Sequence, residues 1–136
     1  MTASAPRPGL VNAFKVSCHV TTLLVILQAV LAGLFISAEN HDAKNQHELM
    51  ANITVLAVAV QLVLAFLVRT WSEFRLMYWV AAVLALVVAQ TGLGYASRED
   101  TLPEAIHIPL GVFIFGLSAI ISTLVVLEGR ARGSTA

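Results

Sequence analysis

The chain has 136 residues and no net formal charge at neutral pH, which allows a single domain at most. Hydrophobic residues make up 58% of the sequence and charged residues 12%, which is too apolar for a soluble protein of this size. The only cysteine, Cys18, excludes an internal disulfide and a CxxC site, and we expect it to serve packing. Composition therefore indicates a membrane protein, and we expect no nucleic-acid partner.

Four long stretches of the sequence contain no aspartate, glutamate, lysine or arginine. They cover residues 16–38, 49–68, 76–96 and 105–127. Each has the roughly 20 residues that an α-helix needs to cross the hydrocarbon layer of a membrane. Because that layer offers no water to satisfy backbone groups, each stretch is predicted to be a helix. The predicted fold is all-α: a single domain over residues 1–136, forming an integral membrane antiparallel four-helix bundle of two helical hairpins.

The charged residues divide by sign between the two ends of this bundle. Basic residues prevail in the N-terminal segment, the second loop and the C-terminal tail: Arg7, Lys15, Arg69, Arg75, Arg130 and Arg132. The first and third loops are acidic and hold only Lys44 and Arg98 as cations. The positive-inside rule then predicts a plasma-membrane protein with its tails, residues 1–9 and 128–136, in the cytoplasm. The two acidic loops are predicted to lie outside.

The first hairpin carries a glutamine on helix 1 and a histidine near the start of helix 2. Gln28 is followed by small residues that let a neighbouring helix approach closely. Asn45 and Glu48 have the spacing of a capping box, so helix 2 is predicted to begin near Asn45. This boundary places His47 in the first turn of helix 2.

The second hairpin repeats this layout. Helix 3 ends with Gln90 and Gly94, and Thr101 and Glu104 again have capping-box spacing. His107 is predicted to lie about one turn into helix 4. The histidines follow the glutamines by 19 and 17 residues, and each has a small residue four positions later: Ala51 and Gly111. Two similar hairpins of one orientation suggest a pseudo-twofold axis along the membrane normal.

These residues predict a cofactor site between helices 2 and 4, which lie diagonally opposite each other in an up-down bundle. His47 and His107 at similar depth can bind the iron of haem b from both sides. Gly94 and Gly111 would leave room for the flat macrocycle, while Arg98 or Lys44 would pair with its carboxylates. Gln28 and Gln90 are expected to hydrogen-bond the cofactor edge or to orient a ligand. The alternative is ordinary polar packing, with the glycines serving only close helix contact.

At these positions the chain resembles one half of a haem A synthase, a family of two four-helix bundles that oxidises a methyl group of haem O. In that family helices 2 and 4 of each half present histidines near the outer face, and a glutamine and a glycine end helix 3. Gln90, Gly94 and His107 match that pattern, and His47 matches the other ligand position. The first outer loop of that family is often longer and often has a cysteine pair and a glutamate shortly before the histidine. Here the loop has no cysteine, and Lys44 stands three residues before His47.

The resemblance implies a haem b protein that acts in electron transfer or in haem modification or handling for a respiratory chain. An enzyme of the haem A synthase type would require a homodimer or a membrane partner protein, and no catalytic residue is assigned. The alternative function is a cofactor-free accessory subunit of a larger membrane complex. A small multidrug-type transporter is disfavoured because none of the four apolar stretches contains a carboxylate.

Overall fold

The computed structural model describes residues 6–38, 41–72, 74–96 and 101–133, and nearly all of these residues are helical. The helices are α1 (Pro8–Ala38), α2 (His41–Leu67), α3 (Leu76–Ala96) and α4 (Thr101–Gly133). All four are long and apolar enough to cross a membrane. The described part of the chain contains no strand, so the predicted fold class is confirmed.

The helices pack in a ring in which each contacts two neighbours. α1 and α3 each contact α2 and α4, which puts α2 and α4 diagonally across the bundle. The C-terminal ends of α1 and α3 and the N-terminal ends of α2 and α4 lie at one end of the bundle, which we call the histidine end. The opposite ends of the four helices lie at the other, which we call the termini end. The two site histidines therefore enter the bundle from the same end, on opposite helices.

Each helix buries one narrow face in the bundle. The buried positions of α3 recur every three or four residues, as one face of a helix requires: Leu76, Val80, Val83 and Val87. The other faces of the helices are also apolar: Leu23 on α1, Leu56 on α2 and Val112 on α4 are 64%, 65% and 68% exposed. Exposed apolar side chains over whole helices suit a lipid environment rather than water.

Polar side chains join α1 to its two neighbours inside the bundle. Thr21 donates a hydrogen bond to Gln61 Oε1, and Gln61 Nε2 donates to the sulfur of buried Cys18 at 3.3 Å. The hydroxyls of Thr22 and Ser122 lie 2.9 Å apart. Interhelix hydrogen bonds of this kind hold membrane helices together where the hydrophobic effect does not.

α2 begins at His41, one turn earlier than the predicted start near Asn45. Asp42 lies in the first turn, where a negative charge stabilises the positive end of the helix dipole. The capping-box spacing of Asn45 and Glu48 is therefore not the helix start, and His47 lies in the second turn of α2. His41, which precedes the predicted start, is the exposed first residue of the helix.

α4 continues to Gly133, so the expected C-terminal tail is helical over residues 128–133. Glu128 is 5% exposed and accepts hydrogen bonds from Arg132 Nε at 2.9 Å and from Ser72 at 3.4 Å. A pair four residues apart and a basic last turn both stabilise the end of a helix. At the other terminus, α1 already begins at Pro8, within the expected N-terminal tail of residues 1–9.

Candidate functional site

His47 and His107 meet across the histidine end of the bundle. Their ring centroids are 6.3 Å apart, and the ring planes make an angle of 67°. Both side chains are half-buried, and they come from diagonally opposed helices. The structure thus brings together the two histidines that the sequence predicted to act as a pair.

The two histidines are held in the same way by the preceding helix of each hairpin. His47 Nδ1 lies 3.0 Å from the backbone oxygen of Gln28, and His107 Nδ1 lies 3.0 Å from the backbone oxygen of Gln90. Because a carbonyl oxygen only accepts, the contact in the second hairpin places the hydrogen of His107 on Nδ1 and leaves the lone pair on Nε2. The tautomer of His47 depends on the Gln28 side chain as well as on its carbonyl oxygen, since both lie beside Nδ1. Histidines that bind a metal commonly have this arrangement, with the second ring nitrogen donating to a carbonyl.

The glutamine side chains complete the link between neighbouring helices. Gln90 Nε2 donates to the backbone oxygen of His107 at 2.9 Å. When its amide nitrogen faces the acceptors, Gln28 makes the matching bond to the backbone oxygen of His47 at 3.0 Å and accepts one from Ala51 N at 2.7 Å. In that orientation the amide nitrogen also lies 2.9 Å from His47 Nδ1 and can donate to it. The two glutamines therefore orient the histidines, whereas the buried Oε1 of Gln90 has no hydrogen-bond partner among the described residues.

Two glycines permit close contacts in this region. A Cβ atom on Gly94 would lie 3.1 Å from Cε1 of His107, and one on Gly111 would lie 3.1 Å from Nε2 of Gln90. A Cβ atom on Gly33 or Gly92 would meet no atom within 4 Å. Gly94 and Gly111 are thus the glycines whose lack of a side chain shapes the site.

A cavity of about 610 Å³ lies next to the histidine pair, within the usual size range of cofactor pockets. All four helices line it, and nearly all of its lining is apolar. Its polar side chains are the two histidines, the two glutamines, and two threonines, Thr54 and Thr91. A smaller cavity of about 260 Å³ shares the histidines and adds Lys44, Glu48 and Tyr95.

The remaining predicted site residue, Arg98, lies outside the described residues. Lys44, the other candidate partner for a carboxylate, lines the smaller cavity. Within the described ranges, no group of three or more histidine, cysteine, aspartate or glutamate side chains is placed to hold a metal ion. The candidate site is therefore a pair of imidazoles beside an apolar cavity.

Sequence reasoning missed the apolar part of the site. The ring of Phe35 packs against His47, with centroids 5.6 Å apart, and Ile114 and Phe115 extend the larger cavity away from the histidines. In a membrane helix an apolar side chain at a cavity looks like any other in the sequence. Thr54 and Thr91 carried a weak signal, since they are the only serine or threonine residues of α2 and α3. Thr54 follows His47 by seven residues, two turns along the same helix face, and that spacing could have found it.

Comparison of the chain with protein-family models, curated proteins and solved structures finds no match. The function therefore has to be argued from the site itself.

Proposed function

We propose that the chain binds one haem b between His47 and His107. The observation that carries this proposal is the 6.3 Å separation of two imidazoles whose Nδ1 atoms are both directed to glutamine carbonyls. A metal–imidazole bond is about 2 Å long and the ring centre lies roughly 1 Å beyond the nitrogen, so two imidazoles on one iron have centroids about 6 Å apart. The spacing supports an iron shared by both rings.

The surroundings of the pair also suit a haem. The adjoining cavity of about 610 Å³ is apolar, as a macrocycle with little polar surface requires. Gly94 leaves space directly beside the ring of His107. Lys44 lines the smaller cavity and offers a cation to the haem carboxylates. We assign the same role to Arg98.

A haem iron held by two histidines supplies one-electron transfer, because it has no open axial position. In this chain the histidines would hold the iron and the glutamine carbonyls would fix their tautomers. The apolar lining would exclude water from the macrocycle. The resemblance to haem A synthase supports a role in electron transfer or haem handling for a respiratory chain. The oxidation of a haem methyl group would further require a second copy or a membrane partner.

We also propose that the termini end faces the cytoplasm of a plasma membrane. Six basic residues of the described chain lie toward that end: Arg7, Lys15, Arg69, Arg75, Arg130 and Arg132. The acidic Glu128 there is buried and paired with Arg132. The described first turns of α2 at the histidine end carry Asp42, Lys44 and Glu48. Lysine and arginine concentrated in short segments at one end favour its retention in the cytoplasm.

The haem proposal is tested by a reduced-minus-oxidised visible spectrum of the detergent-purified protein, with a pyridine haemochrome assay for stoichiometry. We expect the sharp bands of a low-spin b-type haem at one haem per chain. His47→Ala and His107→Ala should each abolish tight binding, because each removes one axial ligand. His41→Ala changes an exposed histidine on the same helix and should leave the spectrum intact.

Two outcomes would contradict the proposal. One is haem retained by both ligand variants, which would place the iron elsewhere. The other is a colourless protein even when haem is supplied during expression. That result would favour the cofactor-free accessory subunit, with His47 and His107 as packing groups.

A further inference from the structure

The larger cavity opens sideways between α1 and α4. Its exposed lining side chains all belong to these two helices: Ile26, Ala29, Ile36, Ile108, Val112 and Phe115. The lining side chains from α2 and α3 are all buried or half-buried: His47, Ala51, Thr54, Val87, Gln90 and Thr91. We call this gap the α1–α4 opening.

The α1–α4 opening faces the hydrocarbon layer over much of its height. Phe115 follows His107 by eight residues, which is about 12 Å along a helix. The exposed side chains that border the opening are all apolar. A water-soluble molecule would find no polar group to bind along this route, whereas an apolar molecule dissolved in lipid could follow it.

The corresponding positions on α2 are polar. The residue after the histidine is Glu48 on α2 and Ile108 on α4, and the residue five positions after it is Asn52 on α2 and Val112 on α4. Lys44, near the start of α2, lines the smaller cavity at the histidine end. The site therefore combines a polar rim at the membrane surface with an apolar opening on one side only.

This distribution matches haem b, which has an apolar macrocycle and two carboxylates on one edge. We propose that haem b reaches His47 and His107 from the lipid through the α1–α4 opening, with its carboxylates toward Lys44. A haem moving sideways in this orientation keeps its carboxylates at the membrane surface while its apolar body stays in lipid. Charged groups therefore avoid the large cost of crossing the hydrocarbon layer. This inference rests on the proposed function.

The experiment follows haem uptake by the apo-protein in lipid nanodiscs, with haem supplied from lipid vesicles and the low-spin spectrum as the signal. Val112→Trp on α4 and Ile26→Trp on α1 each narrow the opening from a different side. We expect both the uptake and the release of haem to be at least tenfold slower in both variants, because a narrower opening slows passage in each direction. Ile53→Trp is the matched control, because Ile53 is also exposed but lies on α2 and lines neither cavity. It should take up haem at the wild-type rate.

Wild-type uptake rates in both opening variants would overturn the route while leaving the haem site standing. Faster haem release or loss of the final spectrum in both would also overturn it, because the substitutions would then weaken binding in the cavity instead of slowing passage through the opening. If Ile53→Trp slowed haem uptake equally, any added tryptophan side chain would have the same effect on the bundle, and that result would also count against the route. Absence of haem in the wild-type protein would remove the proposed function and this inference together.

Discussion

Each of the two histidines has its Nδ1 beside a backbone atom of the preceding helix. That atom is the main-chain oxygen of a glutamine, 3.0 Å distant in both hairpins. Since a main-chain oxygen is present whatever side chain follows it, this part of the site tolerates change at Gln28 and Gln90. The position of each ring depends instead on how closely the helices approach, and Gly94 sets that distance for His107.

Gly94→Ala should weaken haem binding by roughly tenfold or more, in the range found when groups that orient metal ligands are altered. The added methyl carbon would lie 3.1 Å from Cε1 of His107, so the ring would have to shift by a few tenths of an ångström. Gly33→Ala is the control, because its Cβ meets nothing within 4 Å. Haem titration of the two apo-proteins measures the difference. Equal affinities would mean that the ring has room to move.

At the scale of the elements, the hydroxyl and amide groups inside the bundle link helices that apolar contacts alone would leave free to slide in lipid. Thr21 and Gln61 join α1 to α2, and both are nearly fully buried. Thr22 and Ser122 join α1 to α4. These bonds lie away from the histidine pair and fix the relative heights of the helices, on which the level of the histidines depends.

A double-mutant cycle of Thr21→Val and Gln61→Leu should give a coupling free energy of about 0.6 kcal/mol and at most about 2 kcal/mol. Each single variant leaves one buried polar group without its partner, so each should lower the free energy of unfolding. Thr123→Val is a control, because Thr123 is exposed and bonds only to Ala119 of its own helix. The measurement is reversible unfolding in detergent micelles. Strictly additive effects of the two substitutions would show that the bond contributes nothing.

At the scale of the whole molecule, the two hairpins repeat one arrangement but differ on their outer faces. Each hairpin delivers a histidine bonded to a glutamine, which agrees with the pseudo-twofold relation predicted from the sequence. The faces beside the histidines differ, since one is polar on α2 and the other apolar on α4. The two histidines are therefore held symmetrically, but the apolar opening lies on one side of them only. Pairing with a second copy or a membrane partner stays a prediction.

The orientation of the molecule is tested with reporters fused after Ala136. We expect a green fluorescent protein fusion to be bright and an alkaline phosphatase fusion to be inactive, since the basic termini end should stay in the cytoplasm. The same reporters placed in the segment 97–100, between α3 and α4, should give the opposite result. Active phosphatase at the C-terminus would reverse the proposed orientation.

The sequence by itself determined that the chain forms four helices long and apolar enough to cross a membrane, and that His47 and His107 belong to matching hairpins. Apolar length and the absence of charge suffice for the first, because an uninterrupted apolar stretch of about 20 residues satisfies its own backbone groups in lipid only as a helix. The helix ends were less predictable. Asn45 has the spacing of a cap, yet α2 starts at His41. α4 continues to Gly133, and Glu128 and Arg132 form an ion pair four residues apart along its last turns. Such boundaries depend on packing as well as on local signals.

Only the tertiary structure decided that the imidazoles lie 6.3 Å apart with their Nδ1 atoms on glutamine carbonyls. It alone also decided that the cavity opens between α1 and α4. The physical reason is that lipid accepts an apolar side chain as readily as the protein interior does. In a membrane helix, hydrophobicity therefore does not say which face meets a neighbour, which meets lipid and which borders a cavity.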